Sequence, residues 1–164
     1  MNYFFNFDKM EYVRGKRPSG CILCLVRDHS PEVVDLTVWT DESFTVTVNL
    51  YPYNPGHLMI FPNRHVQDLR ELSAAEERHL NLLTRTTLDV LDEVYRPSAY
   101  NVGYNMGGSA GASIDHLHLH VIPRYPREIG IADLVGGTRV LIESPNVTQE
   151  RVAQAFSRRR PKEA

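Results

Sequence analysis

Residues 115–124 read Asp115-His116-Leu117-His118-Leu119-His120-Val121-Ile122-Pro123-Arg124, and the fold turns on how this run is read. Three histidines recur at every second position, with Leu117, Leu119 and Val121 between them. A period of two is the signature of a β-strand, whose successive side chains leave on opposite faces. As a strand, the run sets three imidazoles on one face and three aliphatic side chains into a core on the other. The aliphatic alternation needs only a half-buried strand. The imidazoles need more, because histidine has no strong strand preference. An imidazole can ligate a metal, move a proton or attack an electrophile, and the row alone does not choose among them.

Working outward, the segment before the run is Asn105 to Gly111, N-M-G-G-S-A-G, a glycine-rich loop. Its backbone N–H groups can approach an anion closely, with Asn105, Ser109 and Ser113 as side-chain donors. Alone it is equally well a plain connection. Directly ahead of three histidines it reads as a phosphate cradle. No Gly-Lys-Ser/Thr follows the glycines, so it is not a Walker loop. A nucleophilic imidazole beside such donors can attack phosphorus, forming a phosphoramidate while the donors stabilise charge on the non-bridging oxygens.

Further upstream, Ser73-Ala74-Ala75-Glu76 has the serine and glutamate spacing of a capping box. From there Leu80, Leu83, Leu88, Leu91 and Val94 recur at helical spacing until Pro97, which predicts one long amphipathic helix packed on the core. Val33–Trp39 and Phe44–Leu50 read as a hairpin around the turn at residues 40–43, His57–Phe61 as a third strand and Tyr100–Tyr104 as a fourth. Tyr51 to Gly56 is a turn cluster. Val140–Glu143 is expected as a late strand and Thr148–Arg159 as a C-terminal helix with a basic end. The expected architecture is α+β: an antiparallel sheet of about five strands with one long helix. Residues 1–20 are expected to be an irregular segment, 21–125 the domain, and 126–164 an extension packed on it with a basic tail in which Arg158, Arg159 and Arg160 are solvated.

The 164 residues suit one domain, and 42% hydrophobic with 23% charged content is ordinary for a globular protein. A formal net charge of −2 gives no electrostatic reason to expect nucleic acid or an acidic membrane as partner. The opening M-N-Y-F-F-N-F-D-K-M lacks a basic region followed by an apolar run, so no signal peptide is expected. No stretch approaches the roughly 20 apolar residues that span a bilayer. A cytoplasmic location is expected. The two cysteines, Cys21 and Cys24, form a C-x-x-C pair, which is half a zinc site or a redox pair. The redox reading wants a βαβ context, and none is found.

The run H-L-H-L-H-V-I resembles the signature of the histidine triad (HIT) superfamily. Three upstream segments agree in order: Asn54-Pro55-Gly56-His57 resembles the family's turn into a strand, Pro62 to Leu69 its P-x-x-H-x-x-x-L segment, and Asn105 to Ser113 its phosphate loop. The likeness runs from about Cys21 to Arg124. It implies an α+β HIT-like fold, a homodimer and a nucleotide hydrolase or transferase. Such an enzyme acts on the α-phosphate of adenylated substrates, either dinucleoside polyphosphates or AMP esters and amides, through a covalent nucleotidyl-histidine. By that resemblance His118 is the nucleophile, with His120 on the phosphate and His57 a partner behind the triad. Ser113, Asn105 and Gly111 would serve the phosphate and leaving atom, Asn49 the ribose, and Ile22, Leu23, Val26 and Leu50 the base. The C-x-x-C branch further implies a structural zinc held by Cys21, Cys24, His65 and His116. Gly111-Ala112-Ser113 departs from the usual Gly-Gln-Ser/Thr, removing a side-chain amide near the phosphate. The third histidine stands where the uridylyltransferase branch has glutamine, which favours water or another small acceptor. His29 and His79 are expected to be solvated. Two other readings stay open: a metal-dependent hydrolase using the histidine row, and a nucleotide-binding or sensing module with little turnover.

Overall fold

A computed structural model describes residues 18–126, 128 and 141–159. Five strands form one antiparallel sheet: β1 (Thr37–Thr40), β2 (Phe44–Val48), β3 (Leu58–Pro62), β4 (Ala99–Tyr104) and β5 (Leu119–Arg124), in the order β1-β2-β3-β5-β4. Among the described residues three α-helices accompany it: α1 (Ile22–Arg27), α2 (Ala74–Tyr95) and α3 (Pro145–Arg158). The expected α+β architecture is therefore the one found.

Both faces of the central strands are covered. Every residue of β2 and β3 is buried, because α2 and α3 pack on one face and α1 on the other. Val46, Leu58, Ile60, Leu119 and Val121 join Leu80, Leu83, Leu91 and Phe156 in the main core. Met59 and Phe61, on the alternate face, meet Leu23 and Val26 of α1 in a second, smaller core. The register pairs Met59 with both Thr47 and His120, so His120 stands on the α1 face.

Helix α2 begins as its capping box dictates. The Ser73 hydroxyl accepts from the Glu76 N–H at 3.3 Å, and the Glu76 carboxylate accepts from the Ser73 N–H at 2.7 Å. It ends at Arg96, which adopts a left-handed φ of 48°, and Pro97 blocks continuation. Its buried stripe is Leu80, Leu83, Thr87, Val90 and Leu91. Leu88 and Val94 pack as half-buried neighbours of the core.

Several expectations are corrected. The histidine run is a strand only from Leu119 onward, because the Leu117 N–H leaves the ladder and donates to the Val66 carbonyl at 2.7 Å. Residues 33–36 precede β1 as a loop, and Asn49 and Leu50 follow β2 outside it. Leu141–Glu143 is not a strand, Ile142 being 90% exposed, and Val140 lies outside the described residues. Helix α3 starts earlier than expected, at Pro145, because Ser144 caps it and proline suits the first turn. Its C-terminal Arg158 and Arg159 are exposed, as expected, but are not a free tail: both bond the Glu93 carboxylate of α2, at 2.7 and 2.8 Å. Arg160 is outside the described residues, as are 1–17 and most of 127–140. Of the two spare histidines, His29 is exposed as expected, its side chain 63% open to solvent, and His79 is half-buried. His29 pairs with Asp35 and His79 with Asp41, each at 2.5 Å, and His79 stacks on Phe44.

Candidate functional site

The turn Asn54-Pro55-Gly56 delivers His57 to the start of β3. The buried Asn54 amide donates to the Pro123 carbonyl at 2.6 Å, tying the turn to β5. Gly56 has φ +80°, and a Cβ there would lie 3.0 Å from the Tyr95 ring, so this position needs glycine. His57 is fully buried at 0% exposure. The Tyr53 backbone N–H donates to His57 Nδ1 at 3.1 Å, which makes Nδ1 an acceptor and puts the proton of the neutral ring on Nε2. That Nε2–H faces His120 Nδ1 at 3.0 Å. His120 Nδ1 then accepts, and the neutral His120 ring carries its own proton on Nε2. The Asn49 amide nitrogen, 3.4 Å from His57 Nε2, is a contact rather than a donor in this order, since Nε2 is already donating. The Asn49 side-chain oxygen accepts from the Tyr51 N–H at 3.0 Å.

His118, 4% exposed, is oriented separately. Its Nδ1–H donates to the His116 carbonyl at 2.7 Å, so Nε2 is the lone-pair nitrogen. Burial pushes His118 below the ordinary imidazole value, against the opposing pull of that carbonyl. The ring is thus held neutral, in the tautomer that leaves Nε2 basic and nucleophilic. The His118 and His120 rings meet edge to face at 4.7 Å.

Both line a cavity of about 360 Å³. One wall is apolar: Ile22, Leu23 and Val26 of α1, with Val33, Leu36, Leu50 and Met59. The polar part of the lining is Asn105, Gly111 and Ser113 with the two imidazoles, Asn49 and Thr47. Gly107 and Gly111 hold φ of +81° and +88°, which lets the loop turn tightly through residues 108–110. Ser109 is exposed and is not among the lining residues. All nine residues expected around a nucleotide therefore meet at one cavity. Sequence reasoning missed Thr47, Met59, Val33 and Leu36. Thr47 and Met59 were legible as the alternate face of their strands. The loop residues carried no signal beyond being apolar.

His116 turns away from this cavity. Its Nδ1 lies 3.3 Å from Cys21 Sγ and 3.7 Å from Cys24 Sγ, and His65 Nδ1 lies 3.5 Å from Cys24 Sγ. All four ligand atoms fall within 4.8 Å of one another. A tetrahedral zinc with ordinary Zn–S and Zn–N bonds sets S···N edges of about 3.5 Å, so the spacing fits that ion. His116 Nε2–H donates to the Pro62 carbonyl at 2.9 Å, which leaves Nδ1 as a lone pair facing the sulfurs. Burial lowers His116 to about 4, so the ring is neutral at physiological pH, as a ligand must be. Burial, then the adjacent Cys21, pushes the Cys24 thiol up to about 11; two thiolates this close are stable beside a cation. The pair sits at the start of α1, where Cys21 is the N-cap, not in a βαβ unit. The histidine row thus divides: His116 joins the sulfur cluster, and His118 and His120 face the cavity. Among the described residues this is the only such cluster.

Comparison with known proteins places this geometry. A HIT domain is recognised over residues 30–127. The chain is 40% identical over 112 residues to an AP-4-A phosphorylase of Mycobacterium tuberculosis, covering 68% of this chain and 57% of that protein. It is 38% identical over 88 residues to a bis(5'-nucleosyl)-tetraphosphatase [asymmetrical] of Schizosaccharomyces pombe, covering 54% of this chain and 48% of that one. The chain thus spans about half the length of these curated relatives. Among solved structures, a Zn-bound histidine triad family protein from Mycobacterium smegmatis superposes with a TM-score of 0.67 over 85% of this chain and 94% of that one. At 19% identity the likeness is one of fold. The domain match covers well over half the sequence and ends just past the three histidines that divide between cavity and cysteines: the chain belongs to the HIT family.

Proposed function

We propose that the protein is a nucleotide hydrolase or transferase acting on the α-phosphate of adenylated substrates, dinucleoside polyphosphates first among them. The observation that carries this reading is the 2.7 Å bond from His118 Nδ1–H to the His116 carbonyl. It commits one nitrogen of a buried, cavity-lining imidazole and leaves the other to react. His118 Nε2 attacks the α-phosphorus, an N–P bond forms, and the P–O bond to the leaving nucleotide breaks. The ring becomes a cation that still donates Nδ1–H to the carbonyl, which stabilises it. His120, with Nε2–H set by the proton order from Tyr53 through His57, donates to a non-bridging oxygen. Ser113, Asn105 and the backbone at Gly111 hold the phosphate and leaving oxygen, Asn49 holds the ribose, and Ile22, Leu23, Val26 and Leu50 cover the base. Water or inorganic phosphate then attacks phosphorus, releasing the nucleotide and restoring His118. The relatives named a phosphorylase and a tetraphosphatase support both acceptors.

Zinc fits Cys21, Cys24, His65 and His116, and four protein ligands make it structural. Its contribution is to fix the segment whose His116 carbonyl orients the nucleophile. The domain is assigned to residues 21–125, with 1–20 as a flanking segment and 126–164 as an extension whose helix α3 packs on it through Val152, Ala155 and Phe156. The protein is assigned to the cytoplasm; among the described residues no helix is long and apolar enough to cross a membrane. A homodimer through the edge strand β4 and α2 is supported by the exposed outer strand, where Val102 is 45% exposed.

Intact-protein mass spectrometry tests the mechanism. Wild type and His118→Ala are mixed with diadenosine tetraphosphate and quenched without acid, since phosphoramidates are acid-labile. An adenylate adduct is expected in wild type alone. Hydrolysis that persists in His118→Ala without an adduct would overturn the covalent reading.

A further inference from the structure

Six large hydrophobic side chains are conspicuously exposed among the described residues, and two of them, Val34 at 55% and Tyr53 at 50%, line the cavity. A third, Met106 at 44%, follows directly on Asn105, which also lines it. The residues assigned to the base, Ile22, Leu23 and Val26 of α1 with Leu50, are by contrast half-buried or buried. A nucleotide seated there with its phosphate at His118 leaves this exposed apolar surface uncovered.

Tyr53 is the informative member. One face of its ring stacks on His57, with centroids 5.4 Å apart and planes 15° from parallel. His57 meets His120 at 5.2 Å, and His120 meets His118 at 4.7 Å. Three ring-to-ring steps therefore separate Tyr53 from the nucleophile, a span that a bridge of three or four phosphates can cross. An aromatic ring held flat by an imidazole behind it, with half its surface left to solvent, is a preformed platform for another flat π-system.

We propose that Tyr53 is the platform for the second base of a dinucleoside polyphosphate, the one that departs with the leaving group. The proposal rests on the nucleotide reading above and narrows it: substrates with a base at both ends of the polyphosphate are preferred over those with one. Val34 lines the cavity and Met106 follows the lining residue Asn105, but neither carries a ring, and both attend Tyr53 only as apolar neighbours. The backbone N–H of Tyr53, which sets the His57 proton, is untouched when the side chain is replaced, so the two roles of this residue separate.

The test is equilibrium binding to zinc-loaded His118→Ala protein, which holds ligand without turnover. Diadenosine tetraphosphate is compared with ATP, which shares one adenosine, a polyphosphate and a similar charge. Diadenosine tetraphosphate is expected to bind about tenfold tighter than ATP. Adding Tyr53→Ala should erase that difference while leaving ATP affinity within twofold, and Tyr53→Phe should retain it. Equal affinities before substitution, or an equal loss for both ligands in Tyr53→Ala, would overturn the proposal, the second showing that the ring merely props His57. If wild type forms no adduct and the variant binds neither ligand, the nucleotide reading falls and the platform with it.

Discussion

Replacing His57 by phenylalanine isolates the proton order behind the site. Phenylalanine keeps a ring in a position that is 0% exposed, and keeps the stack under Tyr53, while deleting both nitrogens. Two bonds disappear: the 3.1 Å bond from the Tyr53 N–H and the 3.0 Å bond to His120 Nδ1. The Tyr53 N–H loses its acceptor in a half-buried turn, which costs about 1–3 kcal/mol of stability. The catalytic cost is bounded on both sides. His120 is still present, so the loss stays below the roughly 10²–10³ that follows outright removal of a transition-state donor. Its orienting bond is gone, and a bond of about 1–1.5 kcal/mol corresponds to about tenfold in rate. His57→Phe should therefore fold, melt several degrees lower, and hydrolyse diadenosine tetraphosphate some ten- to hundredfold more slowly, chiefly in kcat. Thermal melts and steady-state kinetics measure both. Asn49→Ala is the control: if Asn49 is only a contact of His57, that variant changes KM rather than kcat. A kcat within twofold of wild type in a folded His57→Phe protein would refute the proton order.

Purified protein should contain one zinc per chain by metal analysis. Cys24→Ser should lose it, with a large fall in melting temperature and a rate at least tenfold lower, because the His116 carbonyl that orients His118 belongs to a ligand. Retained rate in zinc-free, folded protein would contradict that link. Gly56→Ala places a Cβ 3.0 Å from the Tyr95 ring at a φ of +80°, so urea denaturation should show a loss of more than about 1 kcal/mol. For pH, the Arg64 guanidinium, then the Ser73 N–H, holds the Glu76 carboxyl at about 2 against an ordinary 4.5. A lowered folded value gives stability that is complete above about 4.5 and lost as pH falls toward 2. Arg64→Ala should therefore melt below wild type at pH 6, and the gap should close by about pH 2; a gap constant across that range would refute the pairing.

Local pattern made much of this protein legible. Alternation located Leu119–Val121 in the core, and the Ser73 and Glu76 spacing located the start of α2. Both are decided within a few residues by side-chain direction and backbone donors. The order of histidine-bearing segments along the chain carried the family resemblance, and with it the cavity residues and the four sulfur and imidazole ligands. Alternation misled at His116. It predicts three imidazoles side by side, but Leu117 N–H bonds Val66 instead of a sheet neighbour, and the row splits between two sites. No local rule could show that, because the competing acceptor lies 51 residues upstream in sequence. Likewise Arg158 and Arg159 read as a tail until Glu93 stands beside them. The sequence by itself determined which groups are present and which face of an element they prefer. Tertiary structure alone decided which nitrogen of His57, His116 and His120 holds its proton, because that depends on the Tyr53 N–H, the Pro62 carbonyl and the approach of His57 to His120 across the sheet.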